Sequence, residues 1–201
     1  MEWNFEISLY PETDSIVCGV DEAGRGPLAG DVFAAAVILP KNYIIDGLND
    51  SKKLSAKKRD LLFDIIKESA ISFSIATASV EEIEQLNILE ASLLAMRRAI
   101  DRLPVKPAFG LIDGNVTKEF TLPVRSVISG DALCPSISAA SILAKVARDS
   151  YCLEMDSQYP EYGFAVHKGY GTEQHRSAIL KYGVCPLHRK LFLRKIIRID
   201  S

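Results

Sequence analysis

Four acids stand where short apolar runs give out, and their residue types limit what they can do. Asp21 and Glu22 close the run from 16, Asp113 closes 109–113, and Asp131 follows 123–128. Ligands commonly gather where strands end along one edge of a sheet. Carboxylates converging there would repel one another unless a cation lay between them, and Mg²⁺ or Mn²⁺ suits such oxygen donors. Two such ions roughly 3.5–4 Å apart are a device for in-line phosphodiester cleavage, one activating water and the other stabilising the leaving oxygen. No Ser/His or Cys/His nucleophile arrangement stands nearby. Taken singly, each acid also fits a plainer use. Aspartate before glycine is ordinary turn chemistry, and Asp-Glu at a strand end could be a solvated edge or a helix cap.

Something must hold these acids in place. Residues 16–21 read as a short buried strand and 32–39 as another, ended by Pro40. A polar loop, LNDSKKL (48–54), precedes a helix capped by Ser55 and running to about 69, with Leu61, Leu62, Ile65 and Ile66 on its buried face. Residues 73–78 alternate like a half-buried strand. Ser79 and Glu82 have capping-box spacing and open one helical stretch through Leu89, Leu93 and Ile100 to Pro104. Residues 109–113 form a strand stopped by Asp113-Gly114, and 123–128 an edge strand, given its proline. A long Ala/Ser-rich helix spans 136–157 and implies close packing on a neighbour. A glycine-punctuated loop (163–171), a helix from Thr172 to Gly183 and a last basic helix after Pro186 follow. This order predicts an α/β layered core with mixed strand directions.

The chain has 201 residues, 48% hydrophobic and 25% charged, which suits one domain with an ample core. Its four cysteines are far apart, arguing for reduced thiols in a cytoplasmic protein rather than a disulfide scaffold or zinc site. The acidic, polar start lacks the pattern of a signal peptide, and no apolar run approaches a membrane span. Net charge is only −2, but 164–199 carries Lys168, Arg176, Lys181, Arg189, Lys190, Arg194, Lys195 and Arg198 with a single acid, Glu173. That asymmetry fits a phosphate-facing region or, equally, a solvated amphipathic helix.

GVDEAGRGPLAG (19–30) resembles the N-terminal motif of the ribonuclease HII family, the type 2 ribonucleases H. DSKKLS (50–55), LIDGN (111–115), GDA (130–132), SISAASILAKVARD (136–149), YPEYGFAVHKGYGT (159–172) and PLHR (186–189) follow in the family's order. The resemblance implies a ribonuclease H-like fold: a mixed five-stranded sheet flanked by helices, within one domain whose basic helical part, about 164–201, binds substrate. It implies an endonuclease for the RNA strand of RNA–DNA hybrids that also incises 5′ to ribonucleotides embedded in duplex DNA. Asp21, Glu22, Asp113 and Asp131 would hold two Mn²⁺ or Mg²⁺ ions, Asp21 lying between them.

Residue by residue, Gly24, Arg25 and Gly26 would contact the ribose 2′-hydroxyls beside the cut, partly through main-chain groups. That hydroxyl separates RNA from DNA. Tyr170 matches the tyrosine that stacks on the sugar following the RNA. Lys52, Lys53, Lys145 and Arg148 are candidate phosphate contacts or plain surface charges, and His167, His175 and His188 are better read as structural than as ligands. One departure stands out: Ser129-Gly130-Asp131 replaces the common Lys-Gly-Asp, removing a cation beside Asp131. The rival readings are the sister ribonuclease HIII, whose glycine motif differs and which usually carries an extra N-terminal domain, and a hybrid-binding protein with a decayed site. A monomer is expected, with no evident clamp-binding tail after Arg198.

Overall fold

Residues 32–38 are apolar and small throughout, which suits a strand covered on both faces. The computed structural model describes residues 3–10, 15–194 and 196, and makes this strand the second of a mixed five-stranded sheet. The strands are β1 (Val17–Ala23), β2 (Val32–Ile38), β3 (Ser72–Ala78), β4 (Phe109–Asp113) and β5 (Val124–Val127), in the spatial order β3-β2-β1-β4-β5. The helices are α1 (Trp3–Ile7), α2 (Ala56–Ser69), α3 (Val80–Leu86), α4 (Ile88–Asp101), α5 (Gly130–Leu133), α6 (Pro135–Gln158), α7 (Phe164–His167), α8 (Glu173–Tyr182) and α9 (Lys190–Leu193). The mixed sheet and flanking helices are those expected.

Strand direction positions the acids. β2 is antiparallel to β1 and β3, whereas β4 is parallel to β1 and β5 parallel to β4. The C-terminal ends of β1, β4 and β5 therefore meet at one edge. Because Val20 pairs with Ile112, Asp21 and Asp113 stand level on neighbouring strands.

Alternation along β2 divides the core. Val32, Ala34, Ala36 and Ile38 pack on one side with Cys18 and Val20 against Ala91, Ala95 and Ala99 of α4. Ala35 and Val37 face Leu62 and Ile66 of α2 and Ala139, Ala140 and Leu143 of α6. The small residues of α6 let it lie against β1: a Cβ on Gly19 would collide with the Ser136 backbone. Buried Glu6 of α1 accepts the Ser136 amide at 2.9 Å and so caps the first turn of α6.

Three local expectations change. Leu61 is 60% exposed, whereas Leu62 and Ile66 are buried and Ile65 packs partly buried beside them, because adjacent positions on a helix point about 100° apart. The stretch from Ser79 keeps its capping box but breaks at Asn87 (φ 73°), whose side chain accepts the Leu89 and Glu90 amides and starts α4 afresh. The glycine-rich segment 163–171 contains α7 rather than being loop throughout. α7, α8 and α9 share a satellite core with Cys152 and Met155 of α6. The last basic helix is the short α9, and Lys195 and Arg198 lie outside the described residues.

Candidate active site

Asp21 occupies the position on β1 that faces α6, and it is buried. Its Oδ1 accepts the Glu22 amide at 2.7 Å, and the Ser141 hydroxyl supports it from α6. Ser141 in turn lies 2.9 Å from the Ser51 hydroxyl, which joins α6 to the turn carrying Lys52 and Lys53. Burial, then the charges of Glu22 and Asp113, push the Asp21 carboxyl well above its ordinary range. Asp113, at the end of β4, is raised by burial and by Asp131. Asp131 arrives through Ser129, whose left-handed backbone (φ 56°) turns β5 into α5. That turn aims the Gly130 amide at Asp113 Oδ1, 2.7 Å away.

The acids have local partners of opposite sign. Arg25 Nη1 lies 3.3 Å from Glu22 Oε1, and Lys52 Nζ lies 3.5 Å from Asp131 Oδ2. Asp131, Asp21 and Asp50 raise the Lys52 ammonium although partial burial opposes it. Lys52 thus supplies a cation beside Asp131 where Ser129 does not. Mutually repelling buried carboxylates are the donor chemistry of a hard divalent cation. Among the described residues, however, no three carboxylate, imidazole or thiolate groups already share one coordination point. Arg25 meets only Oε1 of Glu22 and Lys52 only Oδ2 of Asp131, so each of these ion pairs engages one oxygen of its carboxylate.

Beside the acids runs a cleft of about 230 Å³ lined by Glu22, Gly24, Arg25, Gly26, Ser51, Lys52, Lys145 and Tyr170, among others. Tyr170 is 47% exposed, and its ring stands over Gly26, where an added Cβ would lie 3.3 Å from Cε1. Gly24 has φ +103°, and a Cβ there would strike Arg148 Nε. The two glycine-rich segments are joined directly, since the Leu28 amide donates to the Gly169 carbonyl at 2.8 Å.

Tyr170 is held from below by histidines. The Cys185 amide donates to His188 Nδ1 at 3.0 Å, so neutral His188 carries its proton on Nε2. That proton faces His175 Nε2 at 3.1 Å, leaving His175 to donate from Nδ1 to the Tyr170 carbonyl at 3.0 Å. Burial lowers both imidazoles to about 4, so the relay is neutral at physiological pH. These histidines are structural, as the sequence suggested.

Not every candidate reaches the cleft as expected. Lys52 does, and Lys145 lines it while paired with Asp149 at 2.6 Å. Exposed Lys53 lies 4.0 Å from Asp50 and does not line the cleft. Arg148 also lines the cleft, but it is 1% exposed and donates to the Lys168 and Ala29 carbonyls, so it supports the glycine loops as well. Arg189, counted with the basic C-terminal run, is likewise wholly buried. Sequence reading missed Ser51, Ser141 and the inward role of Arg189. The serines lie inside quoted motifs, but nothing in their spacing distinguishes them from small packing residues.

The family model for ribonuclease HII matches residues 18–195, which includes all four acids and both glycine segments. The chain belongs to the ribonuclease HII family. The ribonuclease HII of Albidiferax ferrireducens is 59% identical over 187 residues, covering 93% of this chain and 90% of that protein. Among solved structures, ribonuclease H2 from Pyrococcus horikoshii OT3 superposes with a TM-score of 0.74 at 27% identity, covering 90% of this chain and 96% of that one. Bst-RNase HIII in complex with Mn²⁺ shares the fold, with a TM-score of 0.66 at 20% identity over 84% of this chain and 63% of that one. As a ribonuclease HII, the chain is an endoribonuclease of the ribonuclease H class, acting on the RNA strand of RNA–DNA hybrids. No described helix is long and apolar enough to cross a membrane.

Proposed function

We propose that this ribonuclease HII incises duplex DNA on the 5′ side of embedded ribonucleotides, as well as the RNA of hybrids, using divalent ions held by Asp21, Glu22, Asp113 and Asp131. The observation that carries the reading is the meeting of these acids at one sheet edge beside a cleft shared by Gly24–Gly26 and Tyr170. Two ions of the Mg²⁺ or Mn²⁺ kind, when bound, would activate water and offset charge developing on the scissile phosphate. The Mn²⁺ complex of a protein with the same fold supports that class of ion.

The chain's own groups do the rest. Gly24 and Gly26 let main chain approach the ribose, and a Cβ at either meets Arg148 or Tyr170. Tyr170 offers an exposed ring for the sugar of the deoxynucleotide after the ribonucleotide. Lys52 and Lys145 line the cleft wall where phosphate would lie, and exposed Lys53, on the same turn as Lys52, is a further phosphate contact outside the cleft. The basic segment from about 164 onward contributes to substrate binding within one catalytic domain. A single chain carries every group this reading uses, and it works as a monomer.

A duplex containing one ribonucleotide tests the reading, with Mg²⁺ or Mn²⁺ added or chelated. The expected products carry a 5′-phosphate and a 3′-hydroxyl, because water rather than the 2′-hydroxyl attacks. A cyclic phosphate end, or cleavage that persists in chelator, would overturn it.

A further inference from the structure

Arg189 is fully enclosed, yet its guanidinium meets carbonyl oxygens rather than a carboxylate. Nε and Nη2 donate to the Gly30 carbonyl at 2.8 and 2.6 Å, and Nη1 donates to those of Arg25 and Pro27 at 3.1 and 2.9 Å. Nη2 also donates to the Gly24 carbonyl at 2.7 Å. Main chain reinforces the clasp: the Arg189 amide donates to Leu28 and the Gly30 amide to Leu187, each at 2.8 Å. One planar side chain therefore turns four carbonyls of the 24–30 loop to a common centre.

That arrangement fixes the other side of the loop. In a trans peptide the carbonyl of one residue and the N–H of the next point in opposite directions, and the described chain has no cis bond. With the Gly24 and Arg25 carbonyls drawn to Arg189, the Arg25 and Gly26 amides point away from it, and both residues line the cleft. Leu28 provides an internal check. The Pro27 carbonyl faces Arg189, and the Leu28 amide points away to reach Gly169.

We propose that Arg189 is a positioning residue that orients the Arg25 and Gly26 amides as ribose-recognising donors. This rests on the reading of Gly24–Gly26 as the segment that contacts ribose. Lysine cannot substitute, because a single ammonium on a flexible stem cannot span four carbonyls. Burial and the neighbouring Arg148 lower the guanidinium to about 9, leaving it charged at neutral pH.

Arg189→Lys keeps the charge and is the variant to test, with Arg189→Met as a second. Binding is measured in Ca²⁺, without turnover, to matched duplexes with one ribonucleotide or none. The ¹H–¹⁵N resonances of the 25 and 26 amides are followed in parallel, and Mn²⁺ affinity reports on the acids. Arg189→Lys is expected to shift both amide resonances and cut the preference for the ribonucleotide duplex about tenfold, the scale of a misplaced hydrogen bond, with Mn²⁺ affinity kept. An equal loss on both duplexes would reduce Arg189 to a general structural role and overturn the proposal, as would unshifted amides. Shifted amides with intact preference would overturn it in a different place, at the ribose-reading role of residues 24–26, while leaving the clasp standing.

Discussion

Asp113 Oδ1 accepts the Gly130 amide at 2.7 Å, and this bond sets the distance between the β4 acid and Asp131. The Asp131 amide approaches the same oxygen at 3.4 Å. One carboxylate thus organises the turn that delivers the next, although burial and Asp131 both disfavour its charge.

Gly130→Ala should disturb that spacing. An added Cβ would lie 2.5 Å from Ile137 Cδ1 and 3.2 Å from Asp113 Oδ1, so the Ile137 side chain must move and the Asp113 carboxylate give by a few tenths of an ångström. The expected cost is about 1–3 kcal/mol of stability, as for other overpacked sites, together with weaker Mn²⁺ binding. Thermal melts and calorimetric Mn²⁺ titration measure both. Unchanged Mn²⁺ affinity would separate this spacing from ion binding.

Asp21→Asn should abolish turnover while making the ion-free protein more stable at neutral pH. The folded-state pKa of Asp21 is raised, so the stability associated with its protonated form is full below the ordinary value of 3.8 and is lost as pH rises through the raised value. Asparagine removes that loss. Melts in chelator should show the variant's advantage growing with pH, and saturating Mn²⁺ should stabilise the wild type more than the variant. Wild-type activity in Asp21→Asn would remove this residue from the mechanism.

Acid should loosen the support under Tyr170. His175 and His188 are held near 4 against an ordinary 6.5, so their contribution is complete above 6.5 and is lost as pH falls toward about 4. His188→Asn should flatten the stability-against-pH curve across that window. The same slope in both proteins would show that the relay does not govern acid sensitivity.

Tyr170→Ala should cost activity mainly at RNA–DNA junctions and single ribonucleotides, since it removes an exposed ring while leaving the main-chain carbonyl that His175 holds. The ratio of kcat/KM on a one-ribonucleotide duplex to that on a long hybrid should fall by about tenfold, within the range of base and sugar stacking on aromatics. An equal fall on both substrates would remove the junction role.

The sequence by itself marked the strands and the longer helices and singled out the four acids. Short apolar runs, alternating at 73–78, marked the five strands, Ser55 and Ser79 marked helix starts, and the acids stood at or just after the strand ends. Such signals are local, carried within a few residues by side-chain period and capping. Only the tertiary structure decided which way β4 and β5 run, and therefore that Asp21, Asp113 and the turn to Asp131 meet at one edge. It also decided which cations face inward. Arg148 and Arg189 look like ordinary surface charges in sequence, but their guanidiniums are buried on loop carbonyls, Arg189 meeting that of Gly24 across 165 positions. No local pattern encodes such a contact, because its energy depends on desolvation and on carbonyls that converge only after the chain has folded.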